Sequence, residues 1–292
     1  MNETLFAQAA RVFDGWTDPE TGLRVLRVHT RGPDGKGPVW ATPYHQFPCF
    51  LEGGRKVMLD GAASNGRDAG LLNLTTGQAE PLVPEDRSAA EVNDRTSMAT
   101  YWKQAGQHTR AGLWDLRAQR EVAEATADDY WTIHCINLLS DGKRAVVWQR
   151  HGKPYNELVH SRYLLLEPDG STRQILEAEG DFCSHFQSCP TDPELFAYDR
   201  WPSPMRKIEQ AIHIRSLDGI FDEPLKLLPG TIRPAETWGA RDHYLWTPDG
   251  RRIVSYLFPH PQPVQKDFNH FEFEWWLSAT DWRTGEDRAA QY

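Results

Sequence analysis

Apolar and polar residues alternate over short stretches along most of this chain, and turn residues separate the stretches. In DHYLWTPDGRRIVSYLF, residues 242–258, an apolar run is followed by a Pro-Asp-Gly turn and a second apolar run. Similar segments begin at His45, His134 and His185, each with a histidine ahead of the first run and a Gly, Asp-Gly or Asp-Pro turn after it. Period-two alternation broken by such turns predicts antiparallel strand pairs.

Further strands extend each segment into a larger unit. A third apolar run and another turn follow, starting at Ala69, Arg162, Ala211 and Phe273. One more copy, RAGLWDLRAQREV from Arg110, follows SMATYWKQ, which has no histidine. Units of about four strands at intervals of roughly 40 to 60 residues are typical of propeller blades.

We therefore expect an all-β fold, a single β-propeller domain over residues 1–292 built from four-stranded antiparallel blades. Five repeats are visible, at approximately residues 40–85, 90–125, 130–178, 183–230 and 235–292. The extended segment GLRVLRVHT near residues 23–30 is predicted to be an outer strand that closes the ring by pairing with the last blade.

Composition and charge narrow the class of partner. The chain has 292 residues, of which 39% are hydrophobic and 25% charged, enough to bury a substantial core. Its formal charge of −9 argues against a broad nucleic-acid surface but allows an acidic ligand in a small basic pocket. No segment has the apolar length needed to cross a bilayer, and the N-terminus lacks the features of a signal peptide. Four cysteines without a CxxC pair favour free thiols, so we expect a cytoplasmic protein that does not bind membranes.

The repeated histidines are the main candidates for a site. In a propeller the first strand of every blade runs in the same direction along the central channel, so the starts of these strands gather at one mouth. His45, His134, His185 and His243 are thus predicted to face a common funnel. A single rim histidine is more often a structural cap bonded to a neighbouring carbonyl, whereas four together favour a binding or catalytic site.

Other reactive patterns do not stand out. The chain has no G-x-S-x-G elbow, no phosphate-binding glycine loop and no H-E-x-x-H pair. We interpret Asp199-Arg200-Trp201 and the pair Arg206-Lys207 as surface loop more readily than as site.

In the order of its elements the chain resembles the oligogalacturonate lyases. The segments that carry this resemblance are TGLRVLRVHT, PYHQFPCFLEGGRKVML with LLNLTTGQAEPL, DFCSHFQSCPTDPELFAYD and, most sharply, DHYLWTPDGRRIVSYLF. The resemblance implies a seven-bladed β-propeller that cleaves short pectin-derived oligosaccharides by β-elimination with a manganese ion. It also implies that His243, followed by an aromatic residue and the W-x-P-D-G turn, is the base that abstracts the proton.

The resemblance assigns the other candidates as well. The family's charge-neutralising arginine aligns near Ala211, so this role would pass to Arg206 as a catalytic residue or to Arg241. We expect His45, His134, His185 and Arg241 to bind an acidic oligosaccharide substrate.

The family's metal ligands would lie beyond Tyr292, so the ligands of the suspected manganese or other divalent metal are unknown. The chain is then either a fragment of a longer propeller or a ring with fewer blades, closed within a homo-oligomer. Alternatively the four histidines hold the metal themselves, since neutral imidazoles are adequate ligands. The competing class of function is a non-catalytic, TolB-like propeller that serves as a protein-interaction or sugar-binding platform.

Overall fold

The computed structural model describes residues 13–22, 24–28, 40–41, 49–61, 70–74, 79–84, 86–106, 108–152, 158–202, 211–225, 238–259 and 276–291. Every regular element among them is a β-strand, and none of these residues forms a helix that could cross a membrane. The chain divides into two compact units. The first comprises residues 1–126 with 167–170, and the second comprises residues 127–166 with 171–292.

Three sheets make up the first unit. Its strands are β1 (Phe13–Thr17), β2 (Arg24–Val28), β3 (Trp40–Ala41), β4 (Phe50–Leu51), β5 (Lys56–Gly61), β6 (Gly70–Asn73), β7 (Ala79–Pro81), β8 (Ser88–Asn93), β9 (Met98–Ala105), β10 (His108–Asp115) and β11 (Arg120–Thr126). Strands β8 to β11 form a four-stranded antiparallel sheet. In the preceding sheet, β3 and β4 pair with opposite ends of β5 and together take the first position, ahead of β6 and β7.

The second unit contains three sheets of four strands each. Their strands are β12 (Thr132–Leu138), β13 (Ala145–His151), β14 (His160–Leu166) and β15 (Thr172–Glu179); β16 (Asp181–Cys189), β17 (Asp192–Pro202), β18 (Ala211–Ser216) and β19 (Asp222–Pro224); β20 (Trp238–Trp246), β21 (Arg252–Pro259), β22 (Trp276–Asp281) and β23 (Asp287–Gln291). Within each of these sheets, every strand pairs antiparallel with the next one in the chain. The prediction of an all-β fold of four-stranded antiparallel blades is confirmed.

An aspartate side chain stabilises five of the hairpin turns among the described residues. In each of these turns the aspartate Oδ1 accepts a hydrogen bond from the backbone N–H two residues later, which fixes the turn as an Asx-turn. The aspartates are Asp115, Asp141, Asp192, Asp249 and Asp281. The Asp-Gly and Asp-Pro pairs that mark the repeats in the sequence therefore act through side-chain geometry.

Residues 24–28 of the predicted outer strand form β2, and the predicted pairing of this segment with the last blade, which belongs to the other compact unit, stays a prediction. Strand β2 pairs with β1 as a hairpin, from Phe13 opposite Val28 to Thr17 opposite Arg24. The turn stabilises this hairpin, because Asp18 accepts hydrogen bonds from the N–H groups of Glu20 and Thr21, and Gly22 adopts a positive φ of 69°. A local hairpin of this kind closes a short loop at little entropic cost.

Apolar side chains fill the space between successive sheets of each unit. In the second unit, Tyr163 and Leu165 of β14 pack with Phe186 of β16 and with Phe196 and Tyr198 of β17. A second cluster joins the last two sheets through Tyr244, Trp246 and Ile253. The four cysteines are free thiols, as expected, and Cys183 and Cys189 are buried in these clusters.

Asp281, in the turn between β22 and β23, predicts a loss of stability in acid. Burial by itself raises the pKa of this carboxyl, but hydrogen bonds from Arg251 Nε and from the backbone N–H groups of Thr284 and Arg283 outweigh it and lower the pKa from 3.8 to about 2. Because the folded-state pKa is below the unfolded one, the stabilising contribution is present above about pH 4 and is lost as the pH falls towards about 2.

Urea titrations of the wild type and Asp281→Asn check this prediction. The difference in their free energies of unfolding should be largest above about pH 4 and should shrink towards about pH 2. Arg251→Gln removes one donor and should show a weaker form of the same trend. A difference that stays constant across this pH range would contradict the assignment.

Candidate functional site

A β-bulge recurs near the start of the first strand in four blades. The pairing register shifts around Ala90 in β8, around His134 in β12, after Ser184 in β16 and after Asp242 in β20. The bulged residues in the last two strands are His185 and His243 with the aromatic residue that follows each. A bulge redirects a side chain out of the regular pleat and is frequent beside active sites. The blade without a repeat histidine has Ala90 at this position.

His185 and His243 share an unusual backbone conformation. Their φ angles are 50° and 49°, in the left-handed region, which few residues other than Gly occupy, although Asn, Asp and His do so more often than the rest. This conformation costs each residue roughly 1–2 kcal/mol. Such costs are typically retained where the surrounding structure and the function require them.

A buried carboxylate orients His185. The Nδ1 atom of His185 lies 2.6 Å from Oδ2 of Asp199, a residue that is 0% exposed. The pairing of β16 with β17 produces this contact, because Asp199 stands opposite Ser184, the residue before the bulge. Because an ionised carboxylate only accepts hydrogen bonds, this contact keeps a proton on Nδ1 of His185, and Nε2 is the second ring nitrogen that can give or take a proton.

Asp199 is the residue of the candidate site that the sequence interpretation missed. The assignment of Asp199-Arg200-Trp201 to a surface loop is wrong, since all three residues belong to β17, and Trp201 is buried with Phe182. The alternation of ELFAYDRW was the available signal, because it places Asp199 on a strand. The pattern alone does not show that a carboxylate at this position faces a histidine on the neighbouring strand.

The two histidines of successive blades lie side by side. The ring centroids of His185 and His243 are 5.7 Å apart, and the rings are inclined by 39°. Three hydrogen bonds hold the two bulges in register. The Tyr244 hydroxyl donates to the backbone oxygen of His185, Gln187 Nε2 donates to the backbone oxygen of Tyr244 at 2.7 Å, and Trp246 Nε1 donates to that of Gln187 at 3.2 Å. The spacing of the rings is therefore set by buried side chains of both blades.

His134 occupies a different environment in the preceding blade. Its ring packs against the Trp148 indole, with centroids 4.9 Å apart, although a large part of the residue is exposed. This partial burial, with Arg150 nearby, lowers the pKa of His134 from 6.5 to about 4. The ring is therefore neutral near pH 7 and can exchange hydrogen bonds with hydroxyl groups, but it cannot balance a negative charge.

The structure does not describe the side chains of the remaining predicted site residues. His45 and Arg206 lie outside the described residues, and Arg241 is described only as backbone in β20. Ala211, where the family arginine aligns, begins β18 opposite Arg200. The Arg200 guanidinium is bonded to Asp181, at 2.7 Å from both Nε and a terminal nitrogen.

The described residues do not form a recognisable metal site. Among the described residues, no group of three or more His, Cys, Asp or Glu side chains is arranged to hold an ion. The described residues thus give no support to the prediction that the repeated histidines hold a metal ion.

A groove of about 790 Å³ lies in the first unit, away from these histidines in sequence. Leu51, Leu71, Leu82 and Leu116 form its apolar walls. Its basic residues are Lys56 and Arg117, and Lys56 is held by Glu52 at 2.9 Å and by Glu80 at 2.8 Å. The positive charge of Lys56 is therefore already balanced within the groove.

Comparisons with known proteins give matches at the level of structure. No protein-family model matches the chain, and no curated protein sequence does. An oligogalacturonate lyase solved in complex with manganese has a TM-score of 0.70 and 20% identity, over 95% of this chain and 71% of its own. An oligogalacturonate lyase from Vibrio parahaemolyticus has a TM-score of 0.68 and 17% identity over the same shares. TolB from Acinetobacter baumannii has a TM-score of 0.54 and 11% identity, over 95% of this chain and 62% of its own.

These likenesses show the β-propeller fold. At such identities they do not assign an activity, because propellers of one architecture serve both catalytic and non-catalytic roles. The assignment of function must therefore rest on the chemistry of the histidine pair.

Proposed function

We propose that the protein is a lyase that cleaves uronate-containing oligosaccharides by β-elimination, with His243 as the base. The observation that carries the proposal is the pairing of two bulged imidazoles, His243 and the Asp199-bound His185, at 5.7 Å. Oligogalacturonate lyases among the structural neighbours support this reaction class.

The reaction requires groups of this kind. The proton on C5 of a uronate is weakly acidic because it is next to a carboxylate, and its removal needs a base that is neutral near physiological pH. An imidazole meets this requirement better than a carboxylate or an amine. A bulge that turns His243 out of the pleat gives the ring access to a bound sugar.

An acidic oligosaccharide is the proposed partner. His134, neutral near pH 7, can bind sugar hydroxyls beside the flat face of Trp148. The negative charge of the substrate carboxylate must be balanced, and we propose Arg241 or Arg206 for this role, with His45 as a further substrate ligand.

Manganese would act as a Lewis acid on the substrate carboxylate if this protein binds it. The described residues provide no three-ligand group to hold such an ion. The steps assigned to His243 and His185 accordingly use only the side chains of this chain.

The test is an activity measurement on saturated and unsaturated digalacturonate, with and without added manganese. β-Elimination creates a C4–C5 double bond conjugated with the carboxylate, which absorbs in the ultraviolet. We expect absorbance to rise in step with new reducing ends. A matching neutral galactose disaccharide has no carboxylate next to C5 and should give no product.

Two outcomes would reject the proposal. Reducing ends without absorbance would indicate a hydrolase, in which water rather than a base-driven elimination breaks the bond. The absence of both signals with every uronate tested would favour the non-catalytic, TolB-like alternative.

A further inference from the structure

We propose that His185, held by Asp199, is the general acid that protonates the leaving oxygen in the elimination. The assignment rests on the proposed function and adds a second catalytic residue to it. Asp199 would act as a positioning residue, since its carboxylate touches His185 and not the substrate.

The environment of His185 favours a proton donor. A general acid must carry its proton before the reaction, and the charged imidazolium needs a counter-charge when it is partly removed from water. Asp199 provides that counter-charge at 2.6 Å, from a side chain that is 0% exposed, while 23% of the His185 side chain remains accessible. A hydrogen bond to an ionised partner is about twice as strong as a neutral one. Asp199 thus stabilises the protonated form of a histidine whose side chain is still partly accessible to a substrate.

The same pair favours a neutral base at His243. A positive charge on one imidazole disfavours a second positive charge on a ring 5.7 Å away. A neutral ring can accept a proton. The two histidines are therefore suited to opposite roles, as in other enzymes where neighbouring titratable groups divide acid and base work.

The spacing of the rings agrees with these roles. Reacting atoms lie about 3 Å from a catalytic nitrogen in a productive complex. Two rings whose centroids are 5.7 Å apart can therefore reach atoms bonded to neighbouring carbons, here the hydrogen on C5 and the oxygen on C4.

The step balances without another reagent. His243 takes the proton from C5, and the electrons of the C5–H bond form the C4–C5 double bond. The C4–O4 bond breaks, its electron pair stays on O4, and O4 takes the proton of His185. His243 ends protonated and His185 ends neutral, and exchange with water restores both.

The dependence on the leaving group tests this assignment. His185→Ala should lower kcat about 10²- to 10⁴-fold on digalacturonate, because the alkoxide leaves without a proton. On a galacturonate with a 4-nitrophenyl ether at O4, the phenolate leaves readily, and the loss should be at least tenfold smaller. Asp199→Asn should show the same selectivity in kcat with little change in KM. His243→Ala should lose activity on both substrates, since each still needs a base.

His213→Ala is the matched control, because His213 pairs with Asp222 at 3.1 Å in the same blade, on β18. It should affect both substrates equally. The assignment would be overturned if His185→Ala lost activity equally on the two substrates, or lost none on either. Circular dichroism and the variant His185→Gln would distinguish this result from misfolding. A wild-type protein that eliminates neither substrate would instead refute the proposed function, and the general acid with it.

Discussion

Replacing His243 with alanine should abolish formation of the unsaturated product from digalacturonate while the protein stays folded. Removal of a general base typically costs 10²- to 10⁴-fold in rate. We do not expect His185 to take over, because its Nδ1 is bonded to Asp199 and its proposed role in the same step is to give a proton. The measurement is the initial rise in ultraviolet absorbance at saturating substrate, with near-ultraviolet circular dichroism to report the fold.

His243→Gly separates chemistry from backbone strain. At a φ of 49°, alanine is strained and glycine is not, so the glycine variant should be more stable than the alanine variant by about 1 kcal/mol. Both variants lack the imidazole, and both should lose elimination to the same extent. Turnover that survives in the more stable glycine variant would show that His243 supports the bulge and is not the base.

The repeat architecture could be predicted from the sequence because the signals are local. A histidine, an apolar run and an aspartate turn recur within each blade, and the aspartates form the expected turns, as Asp141 and Asp249 do. The pairing of β2 could not be predicted in the same way. It depends on the hairpin closed at Asp18, which the sequence interpretation did not include.

The site was predictable only in part, for a similar reason. The position of His185 and His243 at equivalent places in two blades follows from the repeat, and the structure brings their rings together. Asp199 enters the site only through the register that sets it opposite Ser184, which no local pattern encodes. The lowered pKa of His134 likewise depends on Trp148 and Arg150, which the fold and not the repeat places beside it.

Gly250→Ala should be among the most destabilising single-methyl changes in the second unit. Gly250 ends the Pro-Asp-Gly turn after the His243 strand, with a φ of 65°, and a Cβ there would lie 2.2 Å from Thr191 Oγ1 and 2.8 Å from Cys189 Sγ. Its backbone oxygen also accepts the Trp282 indole N–H at 3.1 Å, which limits how far the turn can move. Left-handed strain of roughly 1–2 kcal/mol and overpacking of about 1–3 kcal/mol together predict a loss of about 2–5 kcal/mol.

Gly170→Ala is the matched control for this prediction, because it changes the same position of a Pro-Asp-Gly turn in another blade. Gly170 has a φ of 84°, and none of the described atoms lies within 4 Å of an added Cβ there, so only the strain of roughly 1–2 kcal/mol should appear in urea unfolding. Thr191→Ala removes the closest atom and should recover part of the loss when combined with Gly250→Ala, as a double-mutant cycle measures. Equal losses for the two glycine variants, with no recovery, would mean that the turn of the His243 blade does not pack on the preceding blade. The bulges at His185 and His243 would then lack one of the contacts that hold their blades together. The proposed division into acid and base depends on a fixed spacing of the two imidazoles. That spacing would then depend on the hydrogen bonds of Tyr244, Gln187 and Trp246.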